Sequence, residues 1–402
     1  MSALPRELPP TAGLPLQASD FLPGGGDLCA IIGAQLGTPP LQLTCSGTAA
    51  LLIALRTLKQ RAPGRDSVVV PAYTCPLVPI AVHAAGLRVR LCDTRPGHFD
   101  MDPDALRAAC SERTLAVLPT HLGGRVADVG TAVAAAREVG AWVIEDAAQA
   151  LGARSGGRSV GLRGDIGFFS LAAGKGLSLF EGGLLACPDP ALRAALRDTA
   201  GSLAPPDLRW ELRRSAELLR LALCYRPSLL PLAYGRPLRQ ALECNALEEA
   251  VGDVFPLEVP QHRVSRWRQA VGARAARRLP GFLQAGRERG LQLRQRLQQL
   301  PGVTVLADDA GDDGTWPLLM VRLPSQRARD AALATLWPAG LGVSRMFIHA
   351  LPDYGYLRGI VPQVSTPNAH DFAARMLTIG NSPWWTEADV EAIAKGLMPH
   401  KA

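Results

Sequence analysis

What this sequence lacks narrows it first. No stretch approaches the roughly eighteen uncharged apolar residues that a membrane-spanning helix needs, so no span is expected. The N-terminus, MSALPRELPPTAGLPL, is Pro-rich and polar and lacks the charged start and apolar run of a secretory signal, so export is not expected. The eight cysteines, at 29, 45, 75, 92, 110, 187, 224 and 244, form no Cys-x-x-Cys pair and no Cys/His spacing of a zinc site. Free thiols in a reducing cytoplasm are the expectation, with no metal site. The sequence contains no internal repeat and no low-complexity tract. The formal charge of +7 comes mostly from scattered arginines, thickening only between about Arg193 and Arg294, and no nucleic-acid-binding module accompanies them. Nucleic acid is therefore not an expected partner.

What is present suits a large globular protein. With 402 residues, 48% of them apolar and 20% charged, the chain can bury a sizeable core and is expected to form one large domain and one smaller one. From Leu41 to about Leu185 short apolar runs alternate with helical patterns: a helix over Thr48–Lys59, strands at Ser67–Pro71 and Leu87–Cys92, a helix over Pro103–Cys110, a strand at Leu115–Pro119, a helix over Ala127–Val139 and a strand at Ala141–Glu145. That rhythm predicts an α/β fold of three layers, a mostly parallel central sheet with helices on both faces, and catalytic groups at the carboxyl edge of the strands. After Val264 the pattern predicts one long helix over Ser265–Leu300, strands near Val303–Leu306 and Pro317–Arg322, a helix over Gln326–Leu336 and helices near His370–Leu377 and Thr386–Leu397, an α+β domain over 261–402. The large domain is expected to span 1–260.

Within it, 203–260 has a different texture, Leu, Arg and Pro mixed, and reads as an insertion. Leu208–Leu223 has leucines at helical spacing with arginines between them, an amphipathic basic helix. Such a face can lie on a membrane or bind a lipidic substrate. The expected use is packing on its own domain or on a dimer partner, because such faces far more often join a core.

Four separated segments carry chemistry. Cys45-Ser46-Gly47-Thr48-Ala49-Ala50 is a small-residue turn entering a helix, whose free N–H groups and Thr48 hydroxyl suit a phosphate; alone it reads as an ordinary N-cap, which is what Ser and Thr before a helix usually are. Val143-Ile144-Glu145-Asp146-Ala147-Ala148-Gln149 ends a buried strand on an acid. A carboxylate there can keep a pyridine nitrogen protonated, and Gln149 can reach a ring oxygen; an acid capping the next helix is the plain alternative. Phe168-Phe169-Ser170-Leu171-Ala172-Ala173-Gly174-Lys175-Gly176 sets a lysine in apolar surroundings, where desolvation favours the neutral amine that attacks an aldehyde, with Ser170 as a further phosphate contact. Glu181-Gly182-Gly183-Leu184-Leu185-Ala186 is a tight glycine turn into another strand.

Together, SGTAAL, VIEDAAQALGA, GDIGFFSLAAGKGLS and EGGLLA resemble the DegT/DnrJ/StrS family of pyridoxal-phosphate (PLP) dependent nucleotide-sugar aminotransferases, with the aspartate-aminotransferase fold, fold type I. The resemblance implies that Lys175 holds PLP as a Schiff base, Asp146 meets the ring nitrogen, Gln149 the ring oxygen, and Ser170, Gly47 and Thr48 the phosphate. It implies ping-pong transfer of an amino group, from glutamate by analogy, to a keto group on a nucleotide-linked sugar, and a homodimer. The sequence departs from the family twice. Cys75 stands where an aromatic residue commonly stacks on the ring, with Tyr73 nearby; and Gln261, in Gln261-His262-Arg263, replaces an Asn that reaches the partner subunit's phosphate. Tyr73 and His121, the latter in THLGG, are the candidate substrate contacts, with a packed or capping histidine the equal alternative for His121. Two other readings stay open: amine transfer to a lipid or polyketide carbonyl, and a PLP-binding regulatory protein without turnover.

Overall fold

The computed structural model describes residues 6–398, so the first five residues of the N-terminal stretch lie outside the described residues. In the first half run β1 (Gln42–Thr44), β2 (Ser67–Pro71), β3 (Arg88–Cys92), β4 (Thr114–Val117), β5 (Trp142–Asp146), the two-residue strands β6 (Arg154–Ser155) and β7 (Arg158–Ser159), β8 (Ile166–Ser170) and β9 (Gly183–Ala186). Seven of them form one sheet in the order β1-β9-β8-β5-β4-β2-β3. The run β8-β5-β4-β2-β3 is parallel throughout, and β9 pairs antiparallel with both β8 and β1. The expected mostly parallel α/β sheet is present.

Its strands read as continuous apolar runs because both faces are covered. Val68 and Val70 pack on the helix Gly47–Arg61, while Val69 between them packs on the opposite face with Leu106, Val129 and Ala132. Phe168 and Phe169 divide between faces in the same way, one residue at a time, as strand geometry requires.

The second half carries β10 (Thr304–Val305), β11 (Asp312–Asp313), β12 (Leu318–Arg322), β13 (Val343–Ser344) and β14 (Met376–Gly380). Here β10-β12-β14-β13 form an antiparallel sheet backed by Leu293 and Leu297, Leu333 and Leu336, and Ile393 and Leu397. Short β11 joins β6 and β7 in a small ribbon.

Two details differ from the sequence reading. The long helix expected over 265–300 is two, Arg266–Ala276 and Leu279–Leu297, because Pro280 has no N–H for a helix interior and instead sits in the first turn of the second. The helix expected near 370–377 is Pro367–Arg375, and Met376 already begins β14, where Leu377 and Ile379 face the second core. The division expected at 260 is crossed in both directions. Val271, Ala275 and Leu279 pack in the first sheet's core, Leu238 and Ala250 in the second, and Leu8 bridges Leu341.

Among the described residues no helix is long and apolar enough to cross a membrane, and no group of His, Cys, Asp and Glu could hold a metal ion. The cysteines are all free.

Candidate active site

A cavity of about 580 Å³ opens at the carboxyl ends of β5 and β8 and is closed from the far side by the second sheet through Leu318, Ser344 and Thr378. Gly47, Thr48, Cys75, His121, Asp146, Gln149, Ser170 and Lys175 all line it.

The helix Gly47–Arg61 points its N-terminus at this cavity. Ser46 is the cap, its hydroxyl accepting the Ala49 N–H at 3.0 Å. The remaining first-turn N–H groups have no partner inside the helix and carry its positive end. Ser170, ending β8, lies so close that a Cβ on Gly47 would sit 3.2 Å from the Ser170 Cβ. Across from β1, a Cβ on Gly183 would meet the Ser46 carbonyl oxygen at 2.3 Å, so the glycine turn before β9 lets the capping turn sit down on the sheet. These groups make a concave cluster of donors suited to an anion.

Asp146 ends β5 and is buried. One carboxylate oxygen accepts the Ala148 N–H at 3.0 Å, and the other takes no hydrogen bond from the described residues. Burial pushes its pKa up to about 6, against the opposing pull of the Ala148 N–H, Lys175 and His121. Burial pushes the Lys175 pKa down, with Cys75 and Asp146 opposing. Cys75 is pushed up to about 12 by burial, so it presents a neutral thiol. Gln149 is anchored by the Gly123 N–H at 2.7 Å on its carbonyl oxygen, and its amide nitrogen lies 3.4 Å from the Met346 sulfur.

The lysine loop is held by residues far away in sequence. Thr11 donates to the Gly174 carbonyl at 2.9 Å and Leu14 N–H to that of Gly176 at 3.0 Å. Tyr225, at the end of the helix Leu208–Cys224, fixes this N-terminal strap by accepting the Gly13 N–H at 2.9 Å and donating to the Thr11 carbonyl at 2.5 Å.

Three expected site residues are placed differently from the rest. Tyr73 does not reach the cavity. It is buried edge-on against Phe347 and Phe372, with centroids 5.6 and 5.2 Å away, and its hydroxyl is used by the Phe347 backbone. His121 reaches the wall but has both ring nitrogens occupied: Nδ1 accepts the Ala127 N–H at 3.0 Å, which assigns the proton to Nε2, 3.1 Å from Glu145. It serves as a fixed wall rather than a hydrogen-bonding contact. Gln261 lies in a separate cavity of about 380 Å³ with Gln42 and Arg197, its amide atoms buried and without partners among the described residues.

The sequence reading missed four groups. Glu145 is fully buried and accepts the N–H groups of Gly161, Arg163 and Gly164 at 2.8, 2.6 and 2.7 Å, which fixes the strand end that carries Asp146. Burial pushes its carboxyl up, but the His121, Gly164 and Gly161 donors outweigh that and leave it below the usual range. Trp210 and Arg214 come from the 203–260 stretch and clasp Glu181 at the cavity wall, the indole at 3.0 Å. Asp253 is buried, accepts from the Tyr354 hydroxyl at 2.5 Å and the Ile348 N–H at 2.9 Å on one oxygen, and lines the cavity. A lone Gly-Asp in a loop gives no sequence signal for such a role.

The model of the DegT/DnrJ/EryC1/StrS aminotransferase family matches residues 32–202 and 260–398. The chain belongs to this family. The stretch 203–259, which supplies Trp210, Arg214 and Asp253, falls between the two matched parts. Among curated relatives, the UDP-N-acetyl-3-dehydro-α-D-glucosamine 3-aminotransferase of Acidithiobacillus ferrooxidans is 40% identical over 153 residues, 38% of this chain and 41% of that protein. The spore coat polysaccharide biosynthesis protein SpsC of Bacillus subtilis is 25% identical over 362 residues, 88% of this chain and 83% of that protein. The chain spans 30 to 44% of the length of the first curated relatives that it matches. The sugar aminotransferase CalS13 of Micromonospora echinospora superposes with a TM-score of 0.71 at 20% identity, over 98% of this chain and 99% of that one, a likeness of fold.

The donor set fits the PLP expected of a DegT/DnrJ/EryC1/StrS chain. An anion cradle, a buried carboxylate with a free oxygen and an amine without a hydrogen bond among the described residues share one cavity. Each is costly to bury unpaired, so an occupant that satisfies all three is what the cavity lacks.

Proposed function

We propose that the chain is a PLP-dependent aminotransferase that moves an amino group from an amino acid, glutamate by analogy with the family, to a keto group on a nucleotide-linked sugar. The observation that carries this reading is the shared cavity of Lys175 and Asp146 beside the N-terminus of the helix Gly47–Arg61. The sugar acceptor is supported by the relative named for a UDP-linked keto sugar and by the one named for polysaccharide synthesis.

When bound, PLP supplies an aldehyde for the amine and a ring that takes up the electrons released by deprotonation. The first-turn N–H groups, with the Thr48 and Ser170 hydroxyls, hold its phosphate. Asp146, through its free oxygen, keeps the proton on the ring nitrogen, and the approach of that cation offsets the burial that now disfavours its charge. Gln149 would offer an N–H to the ring oxygen, and Cys75, a neutral thiol on the cavity wall, would contact the ring where the family commonly has an aromatic side chain. Lys175, its ammonium form disfavoured by burial, takes a proton from the donor carbon as base and returns one as acid.

The same reading includes a homodimer in which Gln261 serves the partner's site, and a cytoplasmic location. The test is an absorbance spectrum of the PLP-loaded protein before and after glutamate. Conversion of the bound aldehyde to the amine form supports amino transfer, and an inert spectrum refutes it. Supplying nucleotide-linked keto sugars and long-chain aldehydes in turn identifies the acceptor.

A further inference from the structure

The sequence pattern of the helix Leu208–Cys224 predicts leucines packed on its own domain or on a dimer partner. Only one side of the helix packs on its own domain. Leu218 and Glu211 are buried, and Glu211 takes a two-pronged ion pair from the fully buried Arg268, at 2.5 and 2.7 Å. Trp210 and Arg214 tie the same helix to Glu181. Four other leucines face out: Leu208 is 73% exposed, Leu212 63%, Leu219 46% and Leu223 66%.

Their placement is ordered. With 3.6 residues per turn, these four leucines fall within an arc of about 60°. Arg220, Arg209 and Arg213 follow in the next arc, roughly 40° wide, beyond Ala216. All three arginines are exposed, as is Ala216. Arg213 pairs with Glu217 at 3.1 Å, whereas Arg209 and Arg220 make no ion pair or hydrogen bond with the described residues. No acid lies among the exposed residues of the helix. The same mixture continues along the chain with exposed Arg226, Leu229, Leu232 and Arg236.

An apolar strip beside unneutralised guanidinium groups calls for an occupant that is apolar and anionic together. A second copy of this face meets the first need and fails the second. In an antiparallel two-fold pairing, rotation about the axis places both arginine rows on the same side, with no exposed carboxylate on either helix to answer them. An anionic phospholipid surface meets both needs, with leucines in the acyl boundary and guanidinium groups at the phosphates.

We propose that the helix Leu208–Cys224 is an interfacial helix that docks the enzyme on an anionic lipid surface. It lies flat, since no described helix can cross a membrane. Its inner face is already fixed to the body by the Arg268–Glu211 pair, so docking needs no rearrangement. Because Trp210 and Arg214 on its inner flank line the reaction cavity, the docked enzyme holds that wall about one helix diameter, roughly 10–12 Å, from lipid. Docking is independent of which reaction the cavity performs.

The test is sedimentation of the full-length, PLP-loaded protein with phosphatidylcholine vesicles, with and without phosphatidylglycerol. Binding is expected with the anionic vesicles, weakened by salt. Arg209→Ala/Arg220→Ala is expected to lower partitioning about 25-fold, roughly fivefold for each guanidinium near an anionic leaflet. Leu212→Glu/Leu219→Glu is expected to abolish binding. These four side chains are exposed, and an unchanged circular dichroism spectrum and glutamate half-reaction establish that the variants are folded. Wild-type protein that stays in solution with both vesicles overturns the proposal. So does equal binding to neutral and anionic vesicles, or a leucine double variant whose only effect is to halve the mass in light scattering, which assigns the face to a second copy.

Discussion

Asp146→Asn separates what the site needs from what the fold prefers. The Asp146 carboxyl titrates near 6 in the folded, cofactor-free chain against an ordinary value of 3.8, because burial opposes its charge. At about 1.4 kcal/mol per pH unit, keeping it ionised costs the empty protein about 3 kcal/mol. The folded value is the higher one, so the stability due to this group is complete below pH 4. It is lost as the pH rises through 6. An asparagine keeps the shape and can still accept the Ala148 N–H, but carries no charge. The cofactor-free variant is therefore expected to be more stable than wild type by about 3 kcal/mol at pH 7.5, a figure that already includes the lost attraction to Lys175, with the gain shrinking towards pH 4. Urea unfolding followed by circular dichroism at pH 5, 6 and 7.5 measures this. Adding PLP is expected to reverse the order, since only the carboxylate is compensated by a cationic ring, and activity is expected to fall in the variant. A cofactor-free variant no more stable than wild type at pH 7.5 refutes the reasoning.

Three further outcomes are expected. Lys175→Ala abolishes the spectral signature of covalently held PLP and lowers turnover at least about 10³-fold while the fold persists, and a normally active variant would remove Lys175 from its role. Glu145→Gln sets an amide NH₂ against two N–H donors in a dry site and destabilises the protein by about 3–4 kcal/mol at pH 7.5, measured by urea unfolding. Because the folded pKa of Glu145 is depressed, its contribution is present above about pH 4.5 and lost as the pH falls, so the penalty fades in acid. Asp253→Asn must turn its carbonyl oxygen to the two donors, Tyr354 and Ile348, and so aims an NH₂ into the cavity; the KM of the keto acceptor is expected to rise about tenfold, with glutamate-driven spectral conversion unchanged.

Much of the site is legible in the order of residues alone. A strand buried on both faces shows as a run such as Trp142 to Ile144, and the acid that ends it lies at the sheet's carboxyl edge. A turn of small residues before a helix signals an anion cradle because its donors are local. Boundaries are less legible: Met376 to Gly380 carry the same apolar residues whether helical or extended, and only pairing with β12 decides between them.

The sequence by itself determined the buried strands, the capping turn at Ser46 and the acid at Asp146, because each depends on residues within a few positions of one another. Only the tertiary structure decided that Tyr73 turns inward, that His121 spends both nitrogens on Ala127 and Glu145, and that Thr11 and Leu14 strap the lysine loop. It also decided that four leucines of one helix face outward. Contacts of this kind join residues far apart along the chain, and such pairings leave no periodicity or spacing to read.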